Sequence, residues 1–203
     1  MKPVDARQIT RRSLWIAPVG LAGAAIVVIR NQNRSGDLPD AVTDSEADRE
    51  VTVARFDDTG AGLGMVRASR VIRSNDEWRA ALSPQQYSVT RQRQTDPAFT
   101  GTYFQAHARG LFRCIACGEA LFSSDAKYDS GTGWPSFWAP IAKENLRTRP
   151  EPGVTLASGI EVICARCGAH LGHVFNDGPK PTHLRYCINE SSLRFVARTK
   201  ANS

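Results

Sequence analysis

No repeat of solenoid length runs through these 203 residues, which excludes a stacked-repeat architecture. Nor is there a charge excess in the first fifty positions, where seven basic and seven acidic side chains cancel. The net charge of +6 therefore belongs to the chain beyond residue 50, with eight arginines between Arg67 and Arg113 against Asp76, Glu77 and Asp96. That stretch lacks the regular interleaving with stacking aromatics expected of a single-strand binder, so it reads as a solvated face and no nucleic acid is expected. Cysteine is scarce: there are five, and they divide into four plus one. What remains is the balance of a soluble body, 41% hydrophobic and 23% charged, long enough for one domain with a real core and a tail.

The longest uncharged run, Ser13 to Ile29, comes after Lys2, Arg7, Arg11 and Arg12. A basic region before an apolar one addresses a membrane, and Thr10-Arg11-Arg12-Ser13-Leu14-Trp15 resembles a twin-arginine export signal. Pro18, Gly20 and Gly23 argue against a buried helix. Residues 1–29 are thus expected to be a signal or an inner-membrane anchor, either of which places the rest of the chain in the periplasm. Residues 30–50 are polar, with six acidic side chains and almost nothing to bury, and read as a disordered linker.

Beyond the linker, Val51 to Phe56 alternates with a period of two, Asp57 to Gly60 supplies turn residues, and Met65 to Ile72 is again extended. Residues 51–73 are therefore expected to form a β-hairpin. Ser74-Asn75-Asp76-Glu77 has the form of a capping box, and Ser83-Pro84 starts a second short helix in a similar way. After Gly110 the chain breaks into short strands separated by Gly, Pro, Asn and Asp. The expected fold is mainly β, with short antiparallel strands preceded by small helices and the hairpin.

Cys114-Ile115-Ala116-Cys117-Gly118 and Cys164-Ala165-Arg166-Cys167-Gly168 are twin knuckles. Each puts two sulfurs on a tight turn, and together they can build a tetrahedral S4 site that suits one structural zinc ion. Two disulfides, or a redox Cys-x-x-Cys, are the alternatives.

The fifth cysteine, Cys187, lies in Leu184 to Asn189. If that is a strand, Arg185, Cys187 and Asn189 share a face, and a neighbouring cation favours the thiolate. Leu171, His173 and Phe175 alternate in the same way one strand earlier, which brings the His173 imidazole towards the thiol as a proton donor near neutral pH. A cysteine packed as a small hydrophobe is the plainer reading. In Ser130 to Trp138, Trp134, Phe137 and Trp138 either cap the core or line an apolar pocket for a small group such as a methyl.

Taken together, Phe99-Thr100-Gly101, the two knuckles, Tyr128 to Gly131, Gly133-Trp134-Pro135-Ser136-Phe137, His170 to Phe175, Asp177-Gly178-Pro179 and Arg185 to Asn189 resemble the B-type peptide-methionine (R)-S-oxide reductases. The resemblance runs from about residue 74 to residue 196 and defines an expected domain at 74–203. It implies two antiparallel sheets, a structural zinc on Cys114, Cys117, Cys164 and Cys167, and reduction of methionine sulfoxide in proteins. Cys187 would attack the sulfoxide sulfur while His173 protonates the departing oxygen. His170 and Asn189 would shape and polarise the site, Arg185 would favour the thiolate, and Trp134, with Phe137 and Phe175, would bind the substrate. Many members carry a second, resolving cysteine where this chain has Thr132. With four cysteines on metal, regeneration falls to an external thiol, either a small molecule or a thioredoxin-like protein. A monomer is expected. The competing reading is a zinc-stapled binding module with an inert Cys187.

Overall fold

The computed structural model describes residues 49–198. The expected signal and all but the end of the linker lie outside the described residues. Among the described residues, no helix is long and apolar enough to cross a membrane.

The expected hairpin is present as β1 (Glu50–Phe56) and β2 (Gly62–Ser69), paired antiparallel. Two short helices come next, α1 (Asn75–Ala81) and α2 (Pro84–Gln92). Both open on full capping boxes, Ser74 with Glu77 and Ser83 with Gln86, which satisfy first-turn amides that have no partner within the helix. Pro84 sits at the first turn of α2, where its missing N–H costs nothing.

The remaining strands are β3 (Gly110–Cys114), β4 (Ala120–Ser123), β5 (Lys127–Tyr128), β6 (Ser136–Phe137), β7 (Leu146–Arg149), β8 (Ile160–Cys164), β9 (His170–Phe175), β10 (Arg185–Ile188) and β11 (Leu193–Ala197). They form two antiparallel sheets, one of six strands in the order β5-β6-β10-β9-β8-β7 and one of three in the order β11-β3-β4. The mainly β, two-sheet expectation holds.

Aromatic rings fill the space between the sheets. Phe137 stacks on Phe122 with ring centres 4.4 Å apart, Phe112 meets Phe137 edge-on at 5.0 Å, and Tyr186 joins Phe122 at 5.8 Å. Each ring buried there is worth roughly 1.5–3 kcal/mol over exposure. Phe137, expected at the substrate, is 0% exposed and belongs to this core. The alternation that puts Ser136 on the working face of β6 turns Phe137 inward.

The two knuckles are the turns of two hairpins, β3–β4 in the small sheet and β8–β9 in the large one. Their backbones repeat each other: Gly118 N–H donates to Cys114 O and Cys114 N–H to Glu119 O, while Gly168 N–H donates to Cys164 O and Cys164 N–H to Ala169 O. Gly118 and Gly168 take φ of +76° and +67°, a turn conformation that glycine adopts without strain.

Candidate active site

Cross-strand pairing sets the site. Across five neighbouring ladders of the large sheet, Tyr128 faces Ser136, Ser136 faces Cys187, Cys187 faces His173, His173 faces Glu161, and Glu161 faces Arg149. Residues opposite each other project from the same face of a sheet, with neighbouring strands about 4.8 Å apart. A single row therefore carries two hydroxyls, a thiol, an imidazole, a carboxylate and a guanidinium. Thiol and imidazole sit on adjacent strands, as the alternate pattern of β9 and β10 predicts.

His170 joins the same face by a different device. The pairing of β8 with β9 runs Val162 to Gly172 and then Ile163 to His170, leaving Leu171 as a surplus residue in a bulge. Strict alternation would set His170 and His173 on opposite faces. The bulge brings their rings to 5.4 Å, edge to face. The Leu171 carbonyl, released from the ladder, accepts from the Asn189 N–H (2.8 Å), Asn189 Nδ2 (3.2 Å) and Ser192 Oγ (3.3 Å). Asn189 Oδ1 accepts from the Asp96 N–H (2.9 Å), so both ends of this buried amide are committed to backbone. Asn189 thus braces the bulge and so shapes this end of the site. Gly172 completes the approach of β9 to β10, because a Cβ there would lie 2.1 Å from the Cys187 carbonyl oxygen.

His170 Nδ1 lies 2.8 Å from Glu161 Oε1, and the pair is buried. Burial alone would raise the Glu161 pKa, but the His170 hydrogen bond together with Arg149 and Arg93 holds it below the usual carboxylate range. An ionised carboxylate requires a His170 proton on Nδ1, and His170 Nε2 is buried without a hydrogen-bond partner among the described residues. Arg93 Nη2 reaches Glu161 at 2.8 Å and Arg149 Nη1 at 3.1 Å.

The Cys187 thiol does not have the depressed pKa that a flanking cation suggests. Burial raises it above the ordinary thiol value near 9, against the lowering by Arg185, Thr132 and Ser136. Arg185 is largely occupied elsewhere: Nε and Nη2 each donate to Asp177 at 2.8 Å, and the guanidinium lies over the Phe175 ring at 4.2 Å. Burial also lowers the His173 pKa, followed by the repulsion of His170, with Glu161 opposing. The neutral imidazole is thereby favoured at rest.

Thr132 has its hydroxyl 3.9 Å from Cys187 Sγ. That hydroxyl lies 2.8 Å from Ser130 Oγ, which lies 2.7 Å from Ser136 Oγ, and Ser136 Oγ donates to the Trp134 carbonyl at 3.1 Å. The half-buried Trp134 donates its indole N–H to Asp96 O at 2.8 Å. Asp96 is therefore gripped through its N–H by Asn189 and through its carbonyl by Trp134. A cleft of about 330 Å³ beside Trp134 is walled by Gly133, Asp96 and Glu190 among others, and not by Cys187. Phe99, 62% exposed and at φ +63°, donates its N–H to the Gly133 carbonyl and presents an uncovered ring next to this loop.

Sequence reasoning does not reach Glu161 or Ser136 as members of the site, nor Thr132 as a contact of the thiol. Glu161 has a signal, since a lone carboxylate stands inside the apolar run Ile160-Glu161-Val162-Ile163-Cys164.

Away from this face, Cys114, Cys117, Cys164 and Cys167 bring all four sulfurs within 4.8 Å of one another. Cys114 and Cys167 are 3.7 Å apart and Cys117 and Cys164 3.6 Å, pairing sulfurs of different knuckles. A tetrahedral ion at a metal–sulfur distance of about 2.3 Å holds its ligands roughly 3.8 Å apart, so the donor set fits one metal ion. The spacing is far too long for disulfides, and all five cysteines are free.

The SelR domain profile matches residues 82–197. A peptide methionine sulfoxide reductase MsrB of Hahella chejuensis is 49% identical over 126 residues, 62% of this chain and 90% of the relative. One from Thiobacillus denitrificans is 52% identical over 123 residues, 61% of this chain and 92% of the relative. The chloroplastic peptide methionine sulfoxide reductase B1 of Arabidopsis thaliana is 46% identical over 127 residues, 63% and 62% of the two chains.

Proposed function

The chain belongs to the SelR-domain, B-type peptide methionine sulfoxide reductases, and from that premise we propose that it reduces the R epimer of methionine sulfoxide in oxidised proteins through Cys187 alone. It is an oxidoreductase acting on methionine sulfoxide. The observation carrying the finer reading is the direct cross-strand pairing of Cys187 with His173.

Both groups are neutral at rest, and the proton balance accommodates this. As the sulfur of Cys187 bonds to the sulfoxide sulfur, the neutral imidazole takes the thiol proton and delivers it to the sulfoxide oxygen. The hydroxyl then passes to Cys187: the substrate's sulfur–oxygen bond and the new sulfur–sulfur bond break as an oxygen–sulfur bond to Cys187 forms, so methionine leaves and Cys187 is left as a sulfenic acid. Two external thiols complete the cycle: the first displaces water to form a mixed disulfide, and the second releases Cys187 and carries away a disulfide. The Glu161–His170 pair fixes the ring against which His173 packs. Trp134, held by Asp96, offers its face to the substrate methyl. Cys114, Cys117, Cys164 and Cys167 would hold a zinc ion, which would supply structure and not chemistry.

With Thr132 beside Cys187 and the other four sulfurs facing one another, no second thiol is at hand to resolve the sulfenic acid. Single turnover without reductant should add one oxygen to Cys187 by mass spectrometry, and an internal disulfide to Cys187 would overturn the single-cysteine cycle. Assaying both epimers of a methionine sulfoxide peptide should show reduction of the R form, lost in Cys187→Ser; activity surviving that substitution would overturn the assignment. Export by the Thr10 to Trp15 signal belongs to the same reading, with repair of periplasmic proteins as the role. Cell fractionation tests it, and a cytosolic protein would refute it.

A further inference from the structure

The β1–β2 hairpin precedes the matched SelR region, which begins at residue 82, and nothing in the chemistry at Cys187 uses it. A two-stranded hairpin is marginal by itself, so this one is held by what it docks on. Its buried face, Val51 and Val53 with Val66 and Ala68 beside them, packs on Ala165, the residue after Cys164. The chain leaving the hairpin reaches Val71, whose N–H donates to the Arg166 carbonyl at 2.9 Å, inside the second knuckle.

Contacts to the first knuckle are equally direct. Arg113 donates through Nη2 to the Phe56 carbonyl (3.0 Å) and to Asp58 (2.7 Å), and through Nη1 to the Gly118 carbonyl (3.3 Å). Arg55 of β1 and Arg166 of the second knuckle flank the same buried carboxylate, Glu119, at 3.6 and 3.9 Å. Asn145, wholly buried, completes the join. Its Oδ1 accepts from the Ala54 N–H (2.7 Å), its Nδ2 donates to the carbonyls of Ala54 and Ala120 (2.8 Å each), and its own carbonyl accepts from the Ala165 N–H (3.0 Å). One side chain thus ties β1 to β4 just past the first knuckle, and the same residue's carbonyl ties them to the second.

We propose that the hairpin is a clamp on the metal centre: by bonding to both knuckles at once it keeps them together and slows departure of the ion. The inference rests on the zinc reading and not on the reaction at Cys187. For the metal to leave, one pair of sulfurs must swing away from the other. With the hairpin docked, that motion must also break the Val71–Arg166 bond, the Arg113 bridge and the apolar contact with Ala165.

The test uses the full zinc-loaded protein in excess chromophoric chelator, following metal release by absorbance and hairpin docking by amide hydrogen exchange. Val53→Asp places a charge in the docking face without altering any residue of the knuckles, and should release zinc about tenfold faster or more. Leu63→Ser, on the outward side near the hairpin tip, should release at the wild-type rate. If Val53→Asp does not yield folded protein, Val53→Ser with Arg55→Ala is the milder substitute and should give a several-fold acceleration. A variant whose 51–56 amides exchange freely while zinc leaves at the wild-type rate overturns the clamp alone. A wild-type protein that binds no zinc overturns the metal reading and the clamp with it. Neither result bears on sulfoxide reduction.

Discussion

The knuckles and the Cys187 row put the same atom to opposite uses. At the knuckles, backbone decides: two identical turns, each closed by its own N–H bonds, place four sulfurs against one another and leave no room for a substrate. At Cys187, the sheet decides: one sulfur stands in a row assembled from six strands, between a hydroxyl and an imidazole. The first setting suits a metal ligand, and the second suits a reactive thiol. Local sequence builds the one, and long-range register builds the other.

Stripping the metal should break this comparison most severely, because an ion on the four sulfurs would staple two sheets that are otherwise joined by packing and a few polar contacts such as Asn145 to Ala120 and Arg166 to Glu119. Structural zinc sites contribute on the order of 10–16 kcal/mol in small zinc peptides, so the apoprotein should lose cooperative thermal unfolding by circular dichroism. An apoprotein melting within a few degrees of the loaded form would show that the knuckles need no ion.

Substituting within the row should leave the staple alone. His173→Asn should keep one zinc per chain and lower kcat/KM by about 10²–10⁴-fold, the span of a general acid–base group. Steady-state kinetics beside metal analysis checks both halves, and an unchanged kcat/KM would remove His173 from the proton path.

Glu161→Gln probes the far end of the row. It deprives two arginines and His170 of a buried anion, and should cost about 3–5 kcal/mol by urea denaturation, with a fall in kcat as His170 loses its anchor. A loss below about 1 kcal/mol would place the carboxylate's partners in water instead.

The smallest effect is a matter of pH. Burial raises the Cys187 pKa, so its anion is a minor species at neutral pH, and alkylation by iodoacetamide should climb with pH to a midpoint above the ordinary thiol value near 9. Arg185→Ala removes the largest opposing influence and should move that midpoint higher still. A midpoint below about 7 in the wild type would restore the resting thiolate.

The legible parts of the molecule are those in which adjacent residues carry the information. Cys-x-x-Cys-Gly written twice contains its own turn, Ser74 and Ser83 contain their own caps, and the alternation around Cys187 and His173 assigns their faces once both are strands. What escapes depends on register. A bulge at Leu171 cannot be seen in a period-two pattern, so the shared face of His170 and His173 stays hidden, as does the commitment of Asn189 to the freed carbonyl. The expectation of a resting thiolate weighs Arg185 by proximity in sequence. It misses that Asp177 occupies the guanidinium and that burial outweighs the charge. Composition groups Phe137 with Trp134, although one step along β6 separates Ser136, which faces Cys187, from Phe137, which fills the core. The hairpin is recognisable as a hairpin, but its seat against both knuckles rests on the Ala54–Asn145 bonds, which span 91 positions of chain.

The surplus position at Leu171 makes register a determinant of reactivity. Were the ladder to absorb Leu171 as an ordinary paired position, both histidines, the thiol and every charge would remain in the sequence, yet His170 would turn to the face opposite His173, away from Glu161. Two proteins could thus share each reactive letter of this segment and differ in competence through pairing alone, a distinction that a strand ladder does not forgive.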